Sequence, residues 1–309
     1  RSILVLALLL VAAIGVQRDA AANPNQGPGG PILVVASPTS SFSKYYAEIL
    51  RAEGLNAFSV VDDISQVTTA MLAAHDVVIL ARSSLSAGQV AMLTSWVNAG
   101  GNLIAMDPDP ALGALLGITA AGAALQNGYL LVDTSTNAGR GIVNQTVQFK
   151  GDAQRNSLSG AVSLATLYSN ATTATANPAV TIRVVGSNGG QAAAYAFDLA
   201  KSIVYMRQGN PAWAGQERDG FAPVRSSDMY FGNAAGDPRP DWMDRSKVTI
   251  PQADEQQRFL ANLILDMNRD RKPLPRFWYL PRGVRAVVLM TGDDHGSNGT
   301  TARSQRYIA

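Results

Sequence analysis

Short apolar runs alternate along the first hundred residues with stretches whose apolar positions recur every three or four residues. Ile32–Val35, 57–61, Val77–Leu80 and 103–106 are the runs, of the kind expected for strands buried on both faces of a parallel sheet. Between them, 43–53 places Tyr46, Ile49 and Leu50 at helical spacing and stops at Gly54, a C-terminal stop signal. A short helix is predicted over 67–74. Ser86 opens a longer one with Gln89 three positions on, the capping-box pattern. Val90, Leu93, Trp96 and Val97 form its apolar face, and Gly100-Gly101 closes it. Strand–helix alternation of this kind predicts an α/β fold, a three-layer sandwich with a mainly parallel sheet.

The texture changes from Gly117 to Asn210, where Gly, Asn, Thr and Ser rise. Further strands are predicted at Tyr129–Val132, 143–149, 180–185, 192–197 and 202–206. Residues 210–248 read as a long ordered surface loop, a kind that is usually functional. A final helix begins at Pro251 with Phe259, Leu260, Leu263, Ile264 and Met267 on one face. Pro273, Pro275 and Pro281 stiffen a linker over 271–285. A last apolar strand, 286–290, runs into Thr291-Gly292-Asp293-Asp294-His295-Gly296. At the other end, an unbroken apolar run over 3–16 follows Arg1 and precedes Ala20-Ala21-Ala22, the layout of an export signal. An uncleaved membrane anchor is the alternative. The expected division is 1–22 signal or anchor, 23–31 spacer, 32–270 α/β domain, 271–285 linker and 286–309 the opening of a second domain. The expected location is periplasmic, extracellular or on a membrane.

Composition narrows the chemistry. Of 309 residues, 47% are hydrophobic and 16% charged, enough for a large core and against disorder. A net charge of +2 without a long basic run argues against a nucleic-acid partner. With no cysteine, disulfides, thiolate metal sites and a Cys nucleophile are all excluded. Only His75 and His295 are histidines, so this sequence alone cannot supply two His ligands and a His acid.

Candidate site residues fall into three groups. Asp62 and Asp63 follow the second predicted strand, and Asp107 and Asp109 the fourth, where ligands of open α/β sheets bind. Helix capping and loop solvation compete with that role. Ser83-Ser84 follow the third strand without a local base, which favours a turn role, and His75 is placed to cap the preceding helix. In the long loop, Trp213, Arg218 and Asp219 lie between glycines, a composition suited to holding a sugar by stacking and hydrogen bonds. Pinning the loop to the sheet is the alternative for Trp213. No Gly-x-Gly-x-x-Gly follows the first strand, where Ser37-Pro38-Thr39-Ser40 stands instead, which argues against a dinucleotide site.

Two family resemblances rest on these motifs. Residues 32–269, chiefly the helix, Gly-Gly and apolar strand over 85–106, resemble the class I glutamine-amidotransferase-like, flavodoxin-like fold. That family carries a nucleophilic Cys on an elbow just after such a strand. Here Asp107-Pro108-Asp109 occupies the place, implying a degenerate, non-catalytic member. The tail 286–296 resembles the opening strand of a NodB-type polysaccharide deacetylase, with Thr291-Gly292-Asp293-Asp294 matching its first motif. The resemblance implies Asp293 as catalytic base and Asp294 as metal ligand, with His295 beside it. It also implies a divalent metal, zinc being the expected ion, with an incomplete ligand set, and chemistry by metal-activated water. On this reading the chain is part of an exported deacetylase of a polysaccharide or peptidoglycan-like polymer. The competing reading is a non-enzymatic glycan- or protein-binding module at the cell surface.

Overall fold

The computed structural model describes residues 27–210, 244–247 and 249–277. The chain divides into two units at Arg276/Phe277. The first unit begins with β1 (Ile32–Val35), α1 (Tyr45–Ala52), β2 (Phe58–Val61), α2 (Thr69–Ala73), β3 (Val77–Leu80), α3 (Ala87–Asn98), β4 (Asn102–Met106) and α4 (Gly113–Leu116). Small strands follow: β5 (Ile118–Ala120), β6 (Leu125–Gln126), β7 (Tyr129–Val132), β8 (Val147–Gln148), β9 (Asp152–Ala153) and β10 (Asn156–Leu158). The unit continues with β11 (Val162–Tyr168), β12 (Ala174–Val185), β13 (Gly190–Tyr195), α5 (Leu199–Gln208) and α6 (Gln252–Met267).

Nine strands form one sheet in the order β2-β1-β3-β4-β13-β12-β11-β7-β8. Pairings from β2 across to β13 are parallel. Those from β13 to β8 are antiparallel. The mainly parallel, flavodoxin-like three-layer sandwich expected over 32–270 is corrected by this topology: the sheet is mixed, and half its pairings are antiparallel. The physical reason lies in the connections. A parallel return needs a crossover of a dozen or more residues, whereas a tight turn enforces an antiparallel one. Only 186–189 joins β12 to β13, with Gly186 and Gly189 at φ 64° and 76°. Only 169–173 joins β11 to β12, with Asn170 Oδ1 accepting from the N–H groups of Thr172 and Thr173.

Strands β1, β3 and β4 are wholly buried, and their side chains alternate between two cores. Ile32, Val34, Ile79 and Ile104 pack with α1, α5 and α6. Leu33, Val35, Val78 and Leu103 pack with α2, α3 and α4. Each such side chain contributes on the order of 1.5–3 kcal/mol by leaving water. The capping box read at Ser86 is formed: Gln89 N–H donates to Ser86 Oγ (3.3 Å), and Ser86 N–H donates to Gln89 Oε1 (2.8 Å). Residues 202–206, expected as a strand, are helical within α5. Asp198 caps that helix by accepting from Lys201 N–H.

The outer strand β8 ends the sheet, and α6 lies along it. Gln148 N–H donates to Gln252 Oε1 (2.6 Å), and its carbonyl accepts from Gln256 Nε2 (2.8 Å). Gln256 Oε1 in turn accepts from Ser202 Oγ (2.9 Å). A row of buried amides therefore satisfies backbone groups that an edge strand would otherwise leave open. Among the described residues, no helix is long and apolar enough to cross a membrane. The apolar run over 3–16 lies outside them.

Candidate functional site

The first four parallel strands reverse their order at β1, which lies between β2 and β3. Chains leave the carboxyl ends of neighbouring strands there in opposite directions and open a crevice. A cleft of about 590 Å³ occupies that end of the sheet. Its walls are the serine-rich loop after β1 (Thr39 to Phe42), Arg82 to Ser84 after β3, and Asp107 to Pro110 after β4. Lys150, Asp152 and Gln154 come from the segment after β8, and Asp198 and Lys201 from the start of α5.

Asp107 sits at the centre. β4 ends at Met106, and the chain turns at once, holding Asp107 at φ 44°. This left-handed conformation is uncommon for a residue with a Cβ, and strain of this kind concentrates at functional sites. Its backbone N–H donates to Tyr195 O (3.0 Å), which fixes the turn to β13. The residue is only 8% exposed. Gln154 Nε2 donates to its Oδ1 (2.7 Å) and also to Pro108 O (2.9 Å), and Arg82 Nε lies 3.3 Å from its Oδ2. Burial pushes the carboxyl above its ordinary range. Arg82 and Gln154 pull it back, while the charges of Asp198 and Asp152 push it further up.

Asp198 is equally buried and fully engaged. Its Oδ1 accepts from Tyr46 Oη (2.9 Å) and from Lys201 N–H (3.2 Å), and its Oδ2 accepts from Ser40 Oγ (3.2 Å). Burial, then the Asp198 charge, hold the Tyr46 phenol well above its usual value, so it stays a neutral donor. Asp109 staples two loops, accepting from Leu85 N–H (2.9 Å) and Ala111 N–H (2.8 Å). Lys150 is 1% exposed at the cleft floor, and Lys201 lies across Gly151, whose φ of 95° carries the chain beneath it.

A raised Asp107 means that its ionised form costs the fold stability. The favourable contribution is complete below the unfolded carboxyl value and is lost as pH rises through the folded one. Asp107→Asn, which has the size and shape of the protonated acid, is therefore expected to raise thermal stability at pH 7. The gain falls within the roughly 0.5–2 kcal/mol that single stabilising substitutions yield. It shrinks as pH falls and vanishes below about pH 4. Melting curves of both proteins between pH 3 and 8 check this; a gain that persists at pH 3 contradicts it.

Of the residues singled out from the sequence, Asp107 and Asp109 line the cleft and Asp62 and Asp63 do not. Asp62 faces Lys44 at 3.7 Å, and Asp63 caps a turn by accepting from Ser65 N–H (2.7 Å). Ser83 and Ser84 line it, with Ser83 Oγ donating to Ala81 O (3.1 Å). His75 Nδ1 bonds Met71 O (2.7 Å), the cap expected of it. Trp213, Arg218 and Asp219, and also Asp293, Asp294 and His295, lie outside the described residues. Among the described residues, no three His, Cys, Asp or Glu side chains are grouped to hold a metal ion. Sequence reasoning missed Arg82, Lys150, Gln154, Asp198 and Lys201. One signal for them existed: Asp198 stands three residues before Lys201 at the head of Leu199, Ile203 and Met206, a capped helix pattern.

No protein-family model matches this chain, and no curated protein matches it. Solved structures similar to it include a cold-adapted β-galactosidase from Rahnella sp. R3, at 18% identity and TM-score 0.43. The match covers 54% of this chain and 28% of that one. An exo-β-1,4-mannosidase from Opitutaceae bacterium strain TAV5 matches at 16% identity and TM-score 0.44, over 58% of this chain and 33% of that one. The N-terminal domain of mmIFT52 matches at 16% identity and TM-score 0.41, over 55% and 87% respectively. This chain thus spans about a third or less of the two glycosidases it resembles. The enzymes among these neighbours are a galactosidase and a mannosidase, not deacetylases. The expected role as part of a metal-dependent polysaccharide deacetylase is corrected on that finding.

Proposed function

We propose that the cleft at the carboxyl end of the sheet is a carbohydrate-binding site. The observation that supports this most is its lining. Four carboxylates, three cations and several hydroxyls face one cavity of about 590 Å³. That volume falls within the range of roughly 300–1,000 Å³ usual for small-molecule sites. Sugar hydroxyls both donate and accept, so they match walls that offer carboxylate acceptors beside ammonium, guanidinium and hydroxyl donors. Phe42, held edge-on against Tyr205 at 5.1 Å between ring centroids, gives one wall an aromatic surface.

Titration of the full chain with short oligosaccharides, followed by amide NMR, tests the reading. Shifts are expected at Ser41, Ser84 and Gln154, and Asp107→Ala, which releases both Arg82 and Gln154 at the centre of the cleft, is expected to weaken binding about tenfold or more. Binding that leaves these amides unmoved, or no binding by any saccharide, removes the proposal.

A further inference from the structure

Resting on that reading, we infer that the saccharide carries an acid group, recognised by Arg82 with Lys201 as a second cation across the Asp107 turn. The cleft holds both engaged and open hydrogen-bonding groups. Its three most committed carboxylates are already occupied by the protein. Asp107 holds Gln154 and Arg82, Asp109 holds two backbone N–H groups, and Asp198 holds Tyr46, Ser40 and the α5 backbone. None has to wait for a ligand donor.

The cations are placed differently. Arg82 is 67% exposed along its side chain and engages Asp107 through Nε, while its two terminal nitrogens have no partner among the described residues. That is the end-on fork which pairs with a carboxylate in two parallel hydrogen bonds. Lys201 Nζ lies over the Tyr205 ring at 5.7 Å and has no carboxylate within ion-pair reach among the described residues. β4 runs between β3 and β13, so Arg82 and Lys201 flank the Asp107 turn from either side. Asp152 is the opposing charge: exposed at the rim, its carboxylate has no hydrogen bond or ion pair among the described residues. Its position restricts where an acid group can settle, favouring the Arg82 side. Asp107 acts here as a positioning residue, turning the guanidinium so that its free edge faces the cavity.

The probes are galacturonate oligomers and matched neutral galacto-oligomers, titrated calorimetrically into the full chain at low and high salt. The acidic oligomers are expected to bind about tenfold more tightly at low salt, the scale of one charge-assisted pair, and to lose most of that preference at high salt. Arg82→Gln removes the preference and Lys201→Gln reduces it, with the native circular-dichroism spectrum kept in both; Arg82→Gln also lowers the melting temperature at pH 7, because Asp107 loses its counter-charge. Arg82→Lys keeps part of it. Equal or tighter binding of the neutral oligomers, or a preference that survives Arg82→Gln, overturns this inference and leaves the carbohydrate site standing. Failure of both oligomers to bind, or binding of acetate or phosphate alone, overturns both.

Discussion

Replacing Gly190 with alanine is expected to destabilise the protein by about 3 kcal/mol or more, at the upper end of what overpacking a core costs. β13 starts at Gly190, directly beneath the last turn of α3. A Cβ there would lie 1.8 Å from Val97 O, 2.9 Å from its carbonyl carbon and 3.2 Å from Gly100 Cα. These are backbone atoms, so no side chain can swing away. α3 cannot lift, because Leu93 and Val97 are fully buried under it. Nor can β13 slide, since its register is set by β4 on one side and β12 on the other. Denaturant unfolding of the variant measures the effect. An unchanged midpoint would mean that the helix and the strand do not approach as closely as described.

Asp198→Ala is expected to cost about 3 kcal/mol. Two losses combine. Removing the cap of α5 costs roughly 1 kcal/mol. Tyr46 is fully buried and gives its hydroxyl proton to Asp198. Stranding that donor costs about 1–3 kcal/mol more. Tyr46→Phe is the informative contrast: Asp198 keeps Ser40 Oγ and Lys201 N–H, so the loss is expected to be nearer 1 kcal/mol. Equilibrium unfolding of the two single variants and the double variant closes a thermodynamic cycle. Strict additivity would show that the two side chains do not cooperate.

How much of this was legible in the sequence depends on what each segment packs against. β1, β3 and β4 are buried on both faces, so each reads as an unbroken apolar run, and all three were found. α3 declares itself through Ser86 and Gln89, and α6 through Phe259, Leu260 and Leu263. α5 was misread because Ile203, Val204 and Tyr205 favour strands in isolation. Only a window extended back to Leu199 shows the helical spacing that tertiary packing then enforces. β11 was missed because its burial is partial and its register against β12 shifts repeatedly between Ser163 and Tyr168. The antiparallel half of the sheet was illegible for a related reason. Direction follows from turn length, and 186–189 only declares itself once β12 and β13 are known to be neighbours.

The cleft was half legible. Strand ends announced Asp107 and Asp109, since a carboxylate after a buried run has few places to go. Gln154, Asp198 and Lys201 reach Asp107 from 47 or more positions away, and local pattern carries no information about that encounter. The buried glutamines of α6 were equally hidden. Hydropathy places Gln252 and Gln256 at the surface, yet each is nearly inaccessible because a strand's open backbone lies against it.

Those glutamines decide how the molecule can meet others. A visiting extended peptide needs vacant amides to dock against, and at Gln148 the outward N–H and carbonyl are already spoken for. Strand exchange or fibril growth from that margin would first have to strip away a sixteen-residue helix and abandon its aromatic and leucine anchors. At that edge, protection against strand addition is thus built into side chains that a hydropathy plot would mark as dispensable.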